Sequence, residues 1–336
     1  MTNSEQPSIK TSLIELKNRT SGPRILFKCE YEQPSGSFKL RGMGHLVHTA
    51  IEEAKKLGKD KVEVFSSSGG NAGLAAAYAA KYYGVNCTVV LPVISKPVVI
   101  EKLKGLGATV IVEGKHWGEA DNHIRNDIIA NLDNSIYPVY AHPFDDPLIW
   151  EGHANFIDEL IIEKQLSSED LNHVKGIVCS VGGGGLYNGV IEGLKRNKEL
   201  NDVPVLTVET HQAPTFKVSL DANEVVHLKE IKTLSTSLAS PYISGKSLEN
   251  YKSHKTHHVV IDDLDAAQGC IDFYDEFGVL VEPACGASVA LAFKKSDLLE
   301  NFGALTKDDI VIIVACGGSG TNVDTLNEYR KLVVAN

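Results

Sequence analysis

The chain of 336 residues has no long hydrophobic run, and none of its apolar stretches approaches the roughly 20 residues that cross a membrane. Residues 1–7 lack the basic and apolar regions of a signal peptide, so we expect a cytoplasmic protein. Basic residues are also outnumbered, with 33 Lys and Arg against 43 Asp and Glu and a formal net charge of −10. Because sequence-independent binding of nucleic acid needs a basic face, we expect a small-molecule ligand.

Closely spaced cysteines are absent as well. The sequence has no Cys-x-x-Cys pair and no close spacing of Cys and His that would hold structural zinc. We therefore expect reduced, buried thiols that pack as small hydrophobic side chains. The six cysteines are Cys29, Cys87, Cys179, Cys270, Cys285 and Cys316.

Short apolar runs rich in Val and Ile alternate along the chain with helical segments. Unbroken apolar strands that alternate with helices are typical of a parallel sheet covered on both faces. The predicted strands are residues 25–29, 62–65, 87–91, 109–112, 176–179, 205–208, 258–261 and 310–314. The predicted helices are residues 72–81, 97–105, 118–132, 148–163, 264–277 and 287–299. The sequence therefore predicts an α/β fold, and its length suffices for two lobes.

Four consecutive glycines at residues 182–185 follow an apolar run and precede a helix-like segment. A strand that leads through a glycine loop into a helix presents backbone N–H groups and the positive end of a helix dipole. Without Cβ atoms the backbone can approach an anion closely. The pattern indicates a phosphate site, although a glycine run alone also fits a flexible turn.

Three further turns combine small residues in a similar way. Residues 66–73, with the sequence SSSGGNAG, follow a predicted strand and open an alanine-rich helix, which suits a carboxylate ligand. Residues 316–320 follow the apolar strand at 310–314, and residues 282–287 close a strand-like segment at 279–281. Ligands of parallel sheets bind at the carboxyl ends of strands, so the four turns together indicate a ligand site.

A candidate nucleophile, Lys39, lies beside Phe38 in a predicted turn between the first two strands. A lone lysine in a turn is usually a solvated surface charge. A lysine held in a pocket beside an aromatic ring can instead lose its proton and attack an aldehyde. A phosphate loop, a candidate Schiff-base lysine and a carboxylate loop together indicate a pyridoxal phosphate enzyme that acts on an amino acid.

Six motifs, in chain order, carry a resemblance to a known family. They are PSGSFKLRG at residues 34–42, SSGGNAG at 67–73, DPLIWEGH at 146–153, VGGGGL at 181–186, VEPACG at 281–286 and CGGS at 316–319. Together they resemble the catabolic L-serine/L-threonine dehydratases, or serine ammonia-lyases, of the β-family of pyridoxal phosphate enzymes. The resemblance covers the chain from residue 11 onward. It implies the tryptophan synthase β-like fold (fold type II), with two open, twisted, mostly parallel sheets and helices on both faces.

The resemblance implies roles for residues that bind the cofactor. Lys39 matches the lysine that binds pyridoxal phosphate covalently and later removes the substrate's Cα proton. Phe38 and Ala239 match residues that cover the two faces of the pyridine ring. Asn71 matches the amide that contacts the ring's 3′ oxygen, and Cys316 matches the partner of the ring nitrogen. The phosphate loop is matched by Gly182, Gly183, Gly184, Gly185 and Leu186.

The resemblance also implies roles toward the substrate and a cation. Ser68 and Gly69, together with Asn71, match the loop that holds the substrate carboxylate. Glu209 and the backbone of Ala213 match ligands of a monovalent cation such as K⁺ in relatives.

The implied architecture has a large cofactor-binding domain of residues 1–34 and 144–336. A smaller domain, residues 35–143, is inserted in it and closes on the substrate. The resemblance further implies a homodimer.

The implied reaction removes water from L-serine to give pyruvate and ammonia, and converts L-threonine to 2-oxobutyrate. A serine racemase of the same fold is the alternative, because Ser66, Ser67 or Ser68 could act on the opposite face of the substrate. A non-catalytic binding protein would keep the glycine loop and could lose Lys39, which this chain retains. Residues 218–246 are the least family-like part, so the preference between serine and threonine stays open.

Overall fold

The computed structural model describes residues 6–17 and 21–335 of the chain. Within these ranges the strands are β1 (Leu13–Glu15), β2 (Arg24–Lys28), β3 (Lys61–Ser66), β4 (Asn86–Leu91), β5 (Thr109–Val112), β6 (Ile136–Tyr140), β7 (Val174–Ser180), β8 (Val205–Thr210), β9 (Thr256–Ile261) and β10 (Ile310–Val314). The α-helices are α1 (Lys39–Lys56), α2 (Asn71–Tyr83), α3 (Pro97–Gly105), α4 (Trp117–Asn122), α5 (Pro147–Ile161), α6 (Ser168–His173), α7 (Gly185–Arg196), α8 (Thr215–Ala222), α9 (Gly245–Ser253), α10 (Asp263–Phe277), α11 (Pro283–Val289) and α12 (Val323–Ala335). None of these helices is long and apolar enough to cross a membrane.

The chain forms two compact units, which we call the large unit and the small unit. The large unit contains residues 10–32 and continues from residue 153, and the small unit contains residues 33–152 with the segment that ends at Ile9. Each unit is built on its own sheet. The division of cofactor binding and substrate closure between two domains stays a prediction.

The large unit is built on a six-stranded sheet with the order β1-β2-β10-β7-β8-β9. Strand β1 runs antiparallel to β2, and the other neighbouring strands are parallel. The central strand β10 is buried along its whole length, as its sequence IVIIV predicts. The carboxyl ends of the adjacent strands β7 and β10 lead into the tetraglycine loop and the turn at Cys316, respectively.

A buried ion pair joins strand β2 of this sheet to helix α5. The Lys28 ammonium, whose side chain is 0% exposed, donates to Glu159 Oε2 at 2.5 Å. It also donates to the Thr11 carbonyl oxygen at 2.8 Å and to Gln165 Oε1 at 2.9 Å. Several acceptors therefore replace the water that this cation loses on folding.

The small unit is built on a parallel four-stranded sheet with the order β5-β4-β3-β6. Its main core joins this sheet to α1 and α2. The alanine-rich face of α2 has short side chains that allow close approach, and Ala75, Ala76 and Ala79 are fully buried there. The predicted α/β architecture with two sheets is therefore confirmed.

The predicted helix at residues 118–132 is wrong as a single helix. The chain forms α4, then a π-helical turn over His123–Ile128 and a 3₁₀ turn over Ile129–Asn131. A π turn inserts a residue into the helical repeat and is common beside functional sites. Here it adjoins Asp121, whose carboxylate holds the loop after β3.

The predicted helix at residues 287–299 is also wrong in its bounds. Helix α11 ends at Val289 and is followed by 3₁₀ turns over Ala290–Ala292 and Ser296–Phe302. Phe293, between them, leaves the helical region with φ −117° and ψ −111° and stacks its ring 6.3 Å from Phe27. The segment therefore continues as short 3₁₀ turns and not as one regular helix.

Residues 279–281 do not form the predicted strand, because they lie in the connection between α10 and α11. Their apolar character reflects burial, since Val281 is fully buried there. Strands β1 and β6 and helix α1 were not predicted. The six cysteines are buried and free, as predicted.

Candidate active site

Lys39 is the first residue of α1, so the prediction that it lies in a turn is wrong. Its half-buried amine donates a hydrogen bond to the Pro143 carbonyl oxygen at 2.5 Å. The same nitrogen lies 5.0 Å from the centre of the Phe38 ring. The fold of the small unit thus holds the predicted nucleophile between an aromatic ring and one backbone carbonyl.

The predicted carboxylate loop connects β3 to α2, and Asn71 is the first residue of α2. Ser68 Oγ accepts a hydrogen bond from Gly70 N at 3.2 Å, so the loop folds tightly onto the start of the helix. A Cβ at Gly73 would overlap the Ser68 carbonyl oxygen, which explains the glycine there. Within the described residues no side chain caps α2, and its first N–H groups are suited to a carboxylate.

Asp121 holds this loop, and its role was not predicted. Its buried carboxylate accepts hydrogen bonds from Ser67 Oγ at 2.8 Å, from Arg125 Nε at 3.0 Å and from the Tyr140 hydroxyl. The Arg125 guanidinium also stacks 4.1 Å from the centre of the Tyr140 ring. Burial, followed by the hydrogen bond to Asp121, raises the pKa of Tyr140, so its hydroxyl keeps its proton and stays a donor.

In the large unit, the tetraglycine loop has the shape of an anion site. Gly184 precedes the first residue of α7 and has φ +92°, a conformation that favours glycine. A Cβ on Gly184 would overlap Ser247 Oγ, and a Cβ on Gly182 would lie 3.0 Å from the backbone of Leu238. No side chain among the described residues caps α7, so the N–H groups of its first turn are suited to an anion.

A buried polar network supports the glycine loop from α7 and α9, and it also was not predicted. Asn188 Oδ1 accepts hydrogen bonds from Ser247 Oγ at 3.0 Å and from Asn250 Nδ2 at 3.1 Å. Its Nδ2 donates to Ser244 Oγ at 3.3 Å, and Ser244 N donates to the Gly183 carbonyl oxygen at 3.0 Å. These four side chains are fully buried, so the network fixes the loop rigidly.

Cys316 follows β10, and its Sγ lies 3.7 Å from Ser180 Oγ at the end of β7. Burial, together with a hydrogen bond to Cys316, raises the pKa of the neighbouring Cys285 thiol well above its ordinary value. Both Gly317 and Gly318 after Cys316 have positive φ, at +86° and +127°. A sharp turn thus ends the strand beside Ser180 and Cys285.

Glu282 joins this turn to the segment of Ala239. Its carboxylate accepts hydrogen bonds from Gly320 N at 2.7 Å and from Ser237 Oγ at 2.5 Å. Ala239 follows the 3₁₀ turn Thr236–Leu238, whose last residue lies against the glycine loop. The large unit therefore brings together the glycine loop, the Ala239 segment and Cys316.

Glu209 is fully buried in β8 and accepts three hydrogen bonds. They come from Phe216 N at 2.9 Å, Lys217 N at 2.7 Å and the ring of His258 at 3.0 Å. Ala213 is also buried, in the turn between β8 and α8. The cation-binding role of both residues stays a prediction.

The chemistry of these residues fits pyridoxal phosphate. The glycine loop offers N–H groups where any side chain would fill the space, which suits a phosphate. Lys39 offers an amine for an aldehyde, and the Cys316 thiol can face a pyridine nitrogen.

Comparisons with known proteins agree with this chemistry. A catabolic L-serine/threonine dehydratase of Saccharomyces cerevisiae is 42% identical over 307 residues, which cover 91% of this chain and 85% of that protein. The crystal structure of a fungal L-serine ammonia-lyase from Rhizomucor miehei matches with a TM-score of 0.83 at 31% identity and covers 97% of this chain and 99% of that one. Maize serine racemase matches with a TM-score of 0.77 at 20% identity, over 98% of this chain and 93% of its own, which shows the fold alone.

The family model described as pyridoxal-phosphate dependent enzyme matches residues 5–317. This match spans nearly the whole chain and includes every residue that the sequence predicts to bind the cofactor. The predicted fold type II and the predicted cofactor are thereby confirmed, and the chain belongs to the family of pyridoxal-phosphate dependent enzymes.

Proposed function

We propose that the protein is an L-serine dehydratase, which converts L-serine to pyruvate and ammonia and L-threonine to 2-oxobutyrate. The observation that carries this proposal is the similarity, over nine-tenths of the chain, to a yeast enzyme named for both substrates. The likeness to a fungal serine ammonia-lyase over almost all of both chains supports the same reaction.

Lys39 would remove the proton from the Cα atom of the substrate. Pyridoxal phosphate, when bound, supplies the electron sink that makes loss of this proton possible. The hydrogen bond from the Lys39 amine to the Pro143 carbonyl oxygen directs the nitrogen, and directed proton transfer to a side chain contributes about 10²- to 10⁴-fold to rates.

The remaining residues would bind and orient. Asn71 would contact the ring's 3′ oxygen, Cys316 its nitrogen, and Phe38 and Ala239 its two faces. The phosphate would be held by Gly182, Gly183, Gly184, Gly185 and Leu186. A thiol is a weaker partner for the ring nitrogen than a carboxylate, which favours elimination over transamination.

The substrate carboxylate would bind to the loop of Ser68 and Gly69, with Asn71, at the start of α2. Two features support this role: the N-terminal N–H groups of α2 attract an anion, and Ser67 anchors the loop to Asp121. A loop that is already ordered loses less conformational entropy when it binds its substrate.

Binding of K⁺ by Glu209 and the Ala213 backbone, a homodimer and a cytoplasmic location are further parts of the proposal. For the cation, support comes from the buried carboxylate oxygens of Glu209 on β8. Activity in K⁺ against activity in a large organic cation at equal ionic strength tests this part.

The main experiment follows pyruvate from L-serine with a coupled dehydrogenase and measures D-serine in the same sample. We expect pyruvate from the wild type, none from Lys39→Ala, and wild-type rates from Lys81→Ala, which removes an exposed lysine on α2. D-serine without pyruvate would overturn the proposal in favour of a racemase. Bound cofactor without either product would favour a binding protein.

A further inference from the structure

His142 lies between β6 and α5, in a turn whose function the sequence does not reveal. Its side chain is buried, and its Nδ1 accepts hydrogen bonds from Phe144 N at 3.2 Å and Asp145 N at 2.7 Å. A ring nitrogen that accepts from two N–H groups carries no proton, so the neutral imidazole has its proton on Nε2.

The surroundings keep this imidazole neutral. The Phe144 ring packs edge to face at 4.6 Å, and Trp117 lies at 6.5 Å. Burial, and secondarily the positive charge of Arg125, lowers the pKa of His142 to about 4. The Nδ1 acceptor therefore persists at neutral pH.

The two N–H donors follow Pro143 directly, so the imidazole closes a small ring around that residue. Pro143 itself has a restricted φ, and the hydrogen bonds to His142 fix the peptide groups after it. The carbonyl oxygen of Pro143 then points in a fixed direction. This oxygen accepts the hydrogen bond from Lys39 Nζ at 2.5 Å.

A lysine that removes a proton needs its lone pair directed at the substrate and its N–H groups directed elsewhere. A fixed carbonyl that accepts one N–H sets the rotation of the amine. The same oxygen stabilises the ammonium that forms when the amine takes the proton.

We propose that His142 is a positioning residue for Lys39, acting through the turn that aims the Pro143 carbonyl oxygen at the lysine amine. This proposal rests on the proposed function, in which Lys39 is the base. His142 differs from an ordinary core histidine in this respect, since the carbonyl group that its turn orients accepts a hydrogen bond from the reacting lysine.

The test compares His142→Asn with His142→Gln in the cofactor-loaded enzyme. The amide oxygen of Asn is bonded to Cγ, as Nδ1 of His is, and can accept hydrogen bonds from the two N–H groups. The amide oxygen of Gln is bonded to Cδ and lies one bond farther from the backbone. We expect His142→Gln to lower kcat by about 10- to 100-fold with little change in KM. The isotope effect of Cα-deuterated serine on kcat should rise in that variant, and His142→Asn should restore both values most of the way to wild type.

A second readout does not use the substrate. The cofactor-free protein is mixed with pyridoxal phosphate, and the visible absorbance of the lysine-bound cofactor gives the rate of attachment. We expect slow attachment in His142→Gln and near wild-type attachment in His142→Asn, with similar melting temperatures.

Equal losses in the two variants, or no loss in His142→Gln, would overturn the proposal. If His142→Gln does not fold, the Asn variant decides: retained attachment supports the proposal, and slow attachment at an unchanged melting temperature overturns it. If the wild type makes no pyruvate, the proposed function fails, and the attachment rates still decide the role of His142.

Discussion

Lowering the pH from 7 to 5 should destabilise the small unit through His142. The folded state holds this imidazole with a pKa of about 4, against an ordinary value of 6.5. Burial is the main cause, and the charges of Arg125 and Lys39 act in the same direction, while Asp121 opposes them. Between these two pKa values the unfolded chain binds the proton and the folded chain does not, so stability rises with pH across this window.

The size of the effect follows from the two pKa values. A histidine with a pKa of 6.5 unfolded and about 4 folded contributes about 2 kcal/mol less stability at pH 5 than at pH 7. Most carboxylates stay ionised above pH 5, so the histidine can be observed separately from general acid unfolding.

Urea unfolding of the cofactor-free protein, followed by tryptophan fluorescence, measures this effect. The chain has two tryptophans, Trp117 and Trp150, and both lie in the small unit, so the signal reports that unit. His142→Asn has no titrating group there. We expect the stability of the wild type relative to this variant to fall by about 2 kcal/mol between pH 7 and pH 5. A stability difference that does not change with pH would refute the reasoning.

Two further predictions concern the large unit. Lys28→Met should lower the free energy of unfolding by about 3–5 kcal/mol because it leaves the Glu159 carboxylate buried without its main partner. Replacing both residues by Met should recover most of this loss, as measured by urea unfolding. A Lys28→Met variant as stable as the wild type would contradict this prediction. Gly184→Ala should weaken cofactor binding by about 5- to 150-fold, since the positive φ and the contact with Ser247 strain any side chain there by about 1–3 kcal/mol. Titration of the cofactor-free protein measures that affinity, with Gly245→Ala as the control because a Cβ there meets open space; equal affinities in the two variants would be the contrary result.

The elements that the sequence predicts correctly are those with strong local signals. Strands β5 and β10 and helix α3 match their predicted bounds to the residue. An unbroken run such as IVIIV has few alternatives in an α/β protein, and proline at the first position of α3 marks a helix start.

Helix α1 was not predicted because its local signals conflict with its structure. It contains Gly42 and Gly44, which disfavour a helix in isolation. Both are buried, and a Cβ on Gly44 would come within 2.6 Å of the Pro7 ring. Tertiary packing therefore overrides local preference, and it places Lys39 at the start of a helix, where the sequence suggested a turn.

The candidate site also combines parts that local sequence signals predict with parts that depend on tertiary packing. The predicted carboxylate loop and tetraglycine loop sit in strand–turn–helix motifs, β3 to α2 and β7 to α7, where a few adjacent positions determine the local backbone. The residues that hold those motifs come from far along the chain: Asp121 lies 54 positions from Ser67, and Asn188 lies 59 positions from Ser247. No local spacing encodes such pairs, so they become visible only when the fold is known.

The difference between local motifs and the distant residues that hold them has a physical cause, which also explains why the sequence does not predict the role of His142. A local motif needs only its own residues to form, whereas a rigid site needs every buried polar group satisfied, and the partners can come from any element that packs nearby. His142 lies 103 positions from Lys39, and the turn that it orders presents the Pro143 carbonyl oxygen to the lysine amine. Sequence reasoning assigns function to side chains by their chemistry, so it overlooks a side chain whose task is to aim a carbonyl group. In the proposed function the reaction rate nevertheless depends on that aim, because proton transfer requires the amine and the Cα atom to meet in one geometry.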